Sequence, residues 1–381
     1  MYPVTALWAD HIGKTHAIAN RVDVWDTDGD FKAGTLPYTA GGVQDQWVSG
    51  ARRTLSLTVT PTDRVKQLLY PGVELRPFSG INYGAGRPEM VPLGRFPLVE
   101  DVIGTRPGDS ITLSLQDRWQ WVVLSPFILP RSSDVGSTIV AQIIRLLTEF
   151  GQWSPGQVTN LCTSTVKVTP QVWDTDRQQA IFDLATSIGA EVFTDRVGNP
   201  VLRPRQVTAA PVAVFAPTLP TTPPDQPARQ KGLYVSRSSA DVYNVVRAVS
   251  TNTDPAFVVP SYTARITDPN HSAYPGKGRP IRSFPLTSPL FTDPVQMKNS
   301  AEKVLSKLSR QARQLTIDTT APDPSIDASD TVTVVWPNSA PFSLAGTTEH
   351  PQVATANHPL TLSDSWQIVT ASSRSDEDYT P

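Results

Sequence analysis

The chain has 381 residues, 33 of them basic and 35 acidic, for a formal net charge of −2. That length accommodates about two to four domains, and no excess positive charge argues for attachment to nucleic acid or membrane by charge alone. A single cysteine, Cys162, excludes an intrachain disulfide, and no apolar run approaches the ~20 residues of a membrane-spanning helix.

The 36 prolines are roughly twice the ~5% average. Proline interrupts helices and central strands, so this density predicts many short strands and ordered loops. Nine tryptophans and repeated alternating apolar runs need burial, which argues against a disordered chain. The stretch from Met1 to Asp10 lacks the basic region and apolar core of a secretory signal. A soluble protein made in a cytoplasm is therefore expected.

Residues 1 to about 130 read as β. Leu55, Leu57 and Val59 alternate with Ser56, Thr58 and Thr60, the pattern of a strand with one wet face, and Pro61-Thr62-Asp63 breaks it. Ile111, Leu113 and Leu115 alternate with Thr112 and Ser114 in the same way. Between them, the segments Leu69 to Phe78 and Val91 to Glu100 read as short strands entered through Pro/Gly turns. Short strands spaced by turns predict a small antiparallel barrel or sandwich.

Residues 131–205 read as a small α/β insert. The first helix is expected from Ser137 to Phe150, stopped by Gly151, with Ile139, Ile143, Leu147 and Phe150 as its stripe, widened by Val140, Ile144 and Leu146. The second runs from Asp174 to Gly189, with Asp174 as cap and Ile181, Leu184, Ala185 and Ile188 on one face. Gly189 suits a left-handed helix end, and Gly198-Asn199 suits the turn of the hairpin that follows.

Residues 206–231 contain six prolines and read as a linker or extended surface loop. Strands resume at Gly232–Val235 and Val242–Val249. A helix is expected over about 293–314, with Asp293 as N-cap, Pro294 at its first position and Gln296 closing a capping box. Its stripe is Met297, Ala301, Leu305, Leu308, Ala312 and Leu315. Strands follow at Leu315–Thr320, Thr331–Trp336 and Trp366–Ala371, then a polar tail. Residues 232–381 thus form a second β domain carrying one long helix. The fold class is mainly β (α+β): two small barrel-like β domains flanking an α/β insert.

Reactive constellations are scarce. Asp26-Thr-Asp-Gly-Asp30 spaces carboxylates as a calcium loop does, but glycine falls at the fourth position and Pro37 takes the place of the closing glutamate. A hairpin turn explains the run better. His11, His16, His271, His350 and His358 form no H-x-x-x-H pair and read as surface polar residues; a strand would point His11 and His16 to opposite sides. Cys162 has no histidine near it in sequence and reads as a buried thiol. No nucleophile elbow or phosphate-binding glycine loop occurs, and Gly84-Ala-Gly86 and Gly276-Lys-Gly278 read as loop glycines. Glu100 and Asp101 are adjacent and would diverge, so they make no glycosidase pair. Arg279-Pro-Ile-Arg282 is too short to be a nucleic-acid patch by itself. No catalytic, cofactor-binding or metal residue is assigned, and the chain is expected not to be an enzyme.

Four segments, taken in order, resemble the hub proteins of tailed-phage baseplates, siphophage tail tips and contractile injection machines. They are Leu69-Tyr-Pro-Gly-Val-Glu-Leu75, the helix and hairpin from Leu184 to Leu202, Asp241-Val-Tyr-Asn-Val-Val-Arg247, and Ser288-Pro-Leu-Phe-Thr292 with the helix through Ala301. Together they span about 65 to 320, and their order carries the resemblance. It implies a structural virion protein with two tube-like barrel domains, forming a homotrimeric ring at the tail tip. That ring would continue the tail tube, adjoin tail-tube or distal-tail, tape-measure and tip or fibre proteins, and let DNA pass in transit. Synthesis would be in the host cytoplasm. A proline-rich linker of this kind departs from the family. The alternative is a carbohydrate- or cell-wall-binding β protein, with or without hydrolase activity, using Trp119 and Trp121 as two rings on one strand face.

Overall fold

The computed structural model describes residues 1–12, 16–26, 31–84, 88–99, 109–205, 210–216, 230–238, 242–251, 261–271, 273–276, 278, 280–288, 291, 294–309, 312–319, 322–336, 348–361 and 367–373. The chain divides into two compact units, Met1–Leu233 with Ile317–Val369, and Tyr234–Thr316 with Thr370–Pro381. This division differs from a second domain running from 232 to 381. The reason is long-range strand pairing: Gln352–Pro359 lies antiparallel to Ala40–Gln46, setting Ala356 opposite Asp45.

The first unit begins with a short helix α1 (Ala6–His11) and strands β1 (Ala17–Trp25), β2 (Lys32–Thr35), β3 (Ala40–Gln46) and β4 (Arg53–Val59). Helix α2 (Asp63–Leu68), β5 (Glu74–Asn82), β6 (Glu89–Pro92), β7 (Phe96–Pro97) and β8 (Ile111–Gln116) follow. One sheet has the order β2-β1-β5-β6, with β7 on β5. In the other, β3, β4 and β8 lie side by side, with Leu55 opposite Leu115 and Leu57 opposite Leu113. The alternation read from the sequence is realised, because inward Leu55, Leu57, Val59, Ile111 and Leu113 meet Val22, Val24 and Leu75 of the other sheet in one core. No closure of these sheets into a barrel is seen among the described strands.

The α/β portion holds α3 (Gln120–Val123), β9 (Arg131–Ser132), α4 (Ile139–Thr148), β10 (Thr159–Asn160), β11 (Val172–Trp173), α5 (Arg177–Ser187), β12 (Ala190–Thr194) and β13 (Pro200–Pro204). Thr138 caps α4 by accepting the Ala141 N–H at 3.2 Å. Asp176 caps α5 by accepting the Gln179 N–H at 2.9 Å, so the cap falls two residues after Asp174. Gly189 has φ +66 and ends α5, and Gly198 has φ +78 in the β12–β13 turn. Ile143, Leu146, Leu147, Ile181 and Leu184 are buried together, while Ile188 and Phe150 are partly buried against them.

The stretch read as a linker contains β14 (Ala213–Phe215), which pairs in parallel with Val332–Val334. Its residues 206–209 and 217–229 lie outside the described residues. Next comes β15 (Gln230–Ser238).

The second unit contains β16 (Val245–Ser250), β17 (Ser261–Arg265), β18 (Ser283–Ser288), α6 (Pro294–Leu308) and the start of β19 (Ala312–Thr319). Its sheet has the order β17-β16-β18, antiparallel on one side of β16 and parallel on the other. Met297, Ala301 and Leu305 of α6 pack on Val246, Ala248 and Ala264. The helix ends at Leu308, short of 314, and Ala312 and Leu315 lie on the following strand. Asp293 lies outside the described residues. The chain closes with β20 (Val332–Val335), β21 (Thr348–Glu349), β22 (Gln352–Pro359) and β23 (Gln367–Ser373).

Candidate functional site

The aromatic pair weighed as a sugar platform is not one. Trp119 is the N-cap of α3 and fully buried, stacked on Phe182 at 5.7 Å and donating its indole N–H to Gln178 Oε1 at 2.7 Å. Trp121 turns elsewhere, with Arg118 over its ring and Trp153 beside it. A helical turn, not a strand, separates the two rings.

The other candidates are dispersed. Cys162 is buried, and burial pushes its thiol pKa up, which disfavours a nucleophilic thiolate. His11 ends α1, with Nδ1 2.9 Å from the Leu7 carbonyl, and His16 lies 3.1 Å from the carbonyl of His11. Asp26 accepts the Phe31 N–H at 3.1 Å across the β1–β2 turn, as a hairpin requires. Asp28, Gly29, Asp30, Glu100, Asp101 and Arg279 lie outside the described residues. Gly84 and Gly278 take left-handed φ in loops. No group of three or more metal-ligating side chains converges among the described residues.

His358 departs from the expected surface role. It is 3% exposed on β22, and burial beside Arg196 lowers its pKa to about 3.

What the fold does concentrate is a buried ionic network in the first unit. Arg53, at the start of β4, reaches Asp327 at 2.9 Å, Asp45 at 3.4 Å and the Thr194 carbonyl at 3.0 Å. Arg196, in the β12–β13 turn, meets Asp327 at 2.7 Å and donates to the carbonyls of Ile326 and Pro324. Burial alone would raise the Asp327 pKa, but Arg196 and Arg53 drive it well below the carboxylate range. Asp117 accepts the backbone N–H groups of Arg52, Arg53 and Trp119; burial outweighs these bonds and raises its pKa to about 6. Nearby, Glu191 binds Arg203 at 2.7 Å and the Trp47 indole at 2.8 Å.

A cavity of about 280 Å³ opens beside Arg52, Arg53, Arg196 and Arg203. Each of these guanidinium groups is engaged by a carboxylate of the fold: Asp45, Asp327 or Glu191. The network therefore ties β3, β4, the β12–β13 hairpin and the 322–330 loop together. Sequence reading missed it, since its members are scattered from position 45 to 327. The adjacent pair Arg52-Arg53, entering an apolar strand, was the available signal.

The sheet formed by β22, β3, β4 and β8 turns an uncharged polar face outward. Registered rows across it run Asn357, Gln44, Thr54, Gln116 and Pro359, Gly42, Ser56, Ser114. A groove of about 330 Å³ lies over its glycine stretch. Gly41 and Gly42 leave the groove bare because a Cβ would sit 2.5 Å from the Ser56 carbonyl and 3.1 Å from that of His358.

Comparison with solved structures defines the class of fold. The chain is similar to a tail protein from Neisseria meningitidis, with TM-score 0.63 and 12% identity over 93% of this chain and 97% of that one. It is similar to prophage tail protein gp18 from Listeria monocytogenes, with TM-score 0.56 and 11% identity over 94% and 96%. The 43 kDa tail protein of prophage MuSo2 from Shewanella oneidensis gives TM-score 0.53 and 13% identity over 92% and 97%. No protein-family model matches the sequence, and no curated protein matches it. The chain has the fold of phage tail proteins, mainly β with small α/β elements, as the resemblance implied. No helix among the described residues is long and apolar enough to cross a membrane.

Proposed function

We propose that this chain is a structural hub at a phage tail tip. In this reading, three copies form a ring that continues the tail tube and adjoins tube or distal-tail, tape-measure and tip or fibre proteins. DNA passes through the ring, and the chain performs no bond chemistry.

The observation that carries the reading is end-to-end likeness to three tail proteins, two of them from prophages, covering at least 92% of this chain and 96% of each of theirs. The uncharged outer face of β22-β3-β4-β8 is a second support. Such a surface offers no fixed charge to a passing phosphate backbone. The ionic network supplies rigidity across the elements that frame that sheet.

The test is sizing and negative-stain imaging of purified protein, alone and with tail-tube protein. Threefold rings that stack on tube protein are expected. A stable monomer that never joins tube protein overturns the proposal.

A further inference from the structure

The near-zero net charge conceals a division. Residues 234–316 carry 11 basic and 5 acidic side chains, a net of +6, and residues 370–381 of the same unit carry 1 basic and 3 acidic, so the unit is +4 against −2 for the whole chain. This basic stretch is the main part of the second unit.

Its three-stranded sheet has two unlike faces. Val246, Ala248, Tyr262, Ala264, Phe284 and Leu286 face α6 and form the core. The opposite face carries Val245, Arg247 and Val249 on β16, Arg265 on β17, Pro285 on β18 and hydroxyls on both flanking strands, with Val245 buried. Arg247 stands opposite Thr263 on one side and Pro285 on the other, and Arg265 stands opposite Val245. The two arginines are therefore diagonal neighbours on adjacent strands, within reach of one extended ligand. Both are exposed, as are Ser261, Thr263, Ser283 and Thr287 around them. Among the described residues no acidic side chain lies on this face, and neither guanidinium has an ion pair or hydrogen bond. In the first unit, by contrast, every arginine of the buried network is paired.

Unpaired arginines held on rigid strands and ringed by hydroxyl donors suit a ligand offering repeated oxyanions. Guanidinium pairs bidentately with phosphate, and serine and threonine add hydrogen bonds to phosphate oxygens without reading sequence. We infer that the outward face of β17-β16-β18 is a sequence-independent contact for the phosphodiester backbone of duplex DNA, made through Arg247 and Arg265. The choice of DNA over an acidic protein rests on the tail-hub reading, which brings duplex DNA past this chain. Two contacts make the grip weak and salt-sensitive, suited to a strand that must keep moving.

The experiment uses the full chain and a fluorescein-labelled duplex of random sequence, read by anisotropy across a salt series. Polyglutamate serves as competitor. Wild type is expected to bind, and polyglutamate to compete poorly. Arg247→Gln with Arg265→Gln should weaken binding and flatten the slope of log affinity against log salt by about 2, roughly one phosphate contact per arginine. The charge-keeping pair Arg247→Lys with Arg265→Lys should retain most of the slope. An unchanged slope in the glutamine variant overturns the inference, as does polyglutamate binding as tightly as DNA, which would mark an acidic protein partner. Ring formation is scored separately by sizing. Rings without arginine-dependent DNA binding sink this site and spare the hub. Arginine-dependent binding by a monomer supports the site and removes the hub.

Discussion

At the scale of single residues, placement decides chemistry. Trp119 has the composition of a sugar platform and the position of a core residue. Trp119→Ala should lower stability by about 3–5 kcal/mol in urea unfolding, the usual cost of deleting a buried large aromatic. Asp327 holds Arg53 and Arg196 at once. Asp327→Asn leaves two buried cations short of a partner, and about 3 kcal/mol should be lost in the same assay. His358 sets an acid limit. Its folded pKa, about 3, lies below the ordinary 6.5. The folded state therefore binds fewer protons, so this contribution is whole above pH 6.5 and drains away as pH falls toward 3. Asp117 works in the opposite sense: its raised pKa makes its contribution fade as pH rises from about 4 through 6. His358→Gln should therefore flatten the acid limb of unfolding free energy against pH between 6.5 and 4. A limb as steep as wild type would show that His358 does not set it.

Elements follow local rules closely where those rules are local. The stripes of α4 and α5 and the alternation of β4 and β8 were legible because side-chain direction repeats every 3.6 or 2 residues. The end of α5 on Gly189 was legible for a similar reason, since a left-handed backbone selects glycine. A Cβ at Gly189 would meet nothing within 4 Å, so Gly189→Ala isolates the conformational cost. That cost is expected to be about 1 kcal/mol, read from the shift in urea midpoint. Helix α2 was not foreseen, because Pro61-Thr62-Asp63 read only as a strand breaker. In the fold the Thr62 hydroxyl accepts the Val65 N–H at 3.3 Å and starts a helix there. Helix α6 was read too long: Ala312 and Leu315 keep the helical period, yet both lie on the following strand, where Leu315 and Ile317 are buried.

For the molecule as a whole, pairing between distant segments sets the architecture. The second domain was expected to run from 232 to 381, but residues 317–369 join the first unit through β22 on β3 and β20 beside β14. If the chain assembles as proposed, the ring binds only folded protomers. The apparent Tm should then rise with protein concentration, and calorimetry over a hundredfold range should resolve it. A Tm independent of concentration would mean that the protomer is stable alone.

By itself the sequence determined the class of the fold, its three longest helices, many of its strands and their inward faces. These depend on short-range periodicity, backbone preference and residue chemistry. Only the tertiary structure decided that Trp119 and His358 are buried, that β22 pairs with β3, that scattered arginines and carboxylates converge in one network, and that Arg247 and Arg265 share a face on which the described residues place no carboxylate. Burial and strand partnership are set by segments hundreds of residues apart, and no local pattern records which of them will meet.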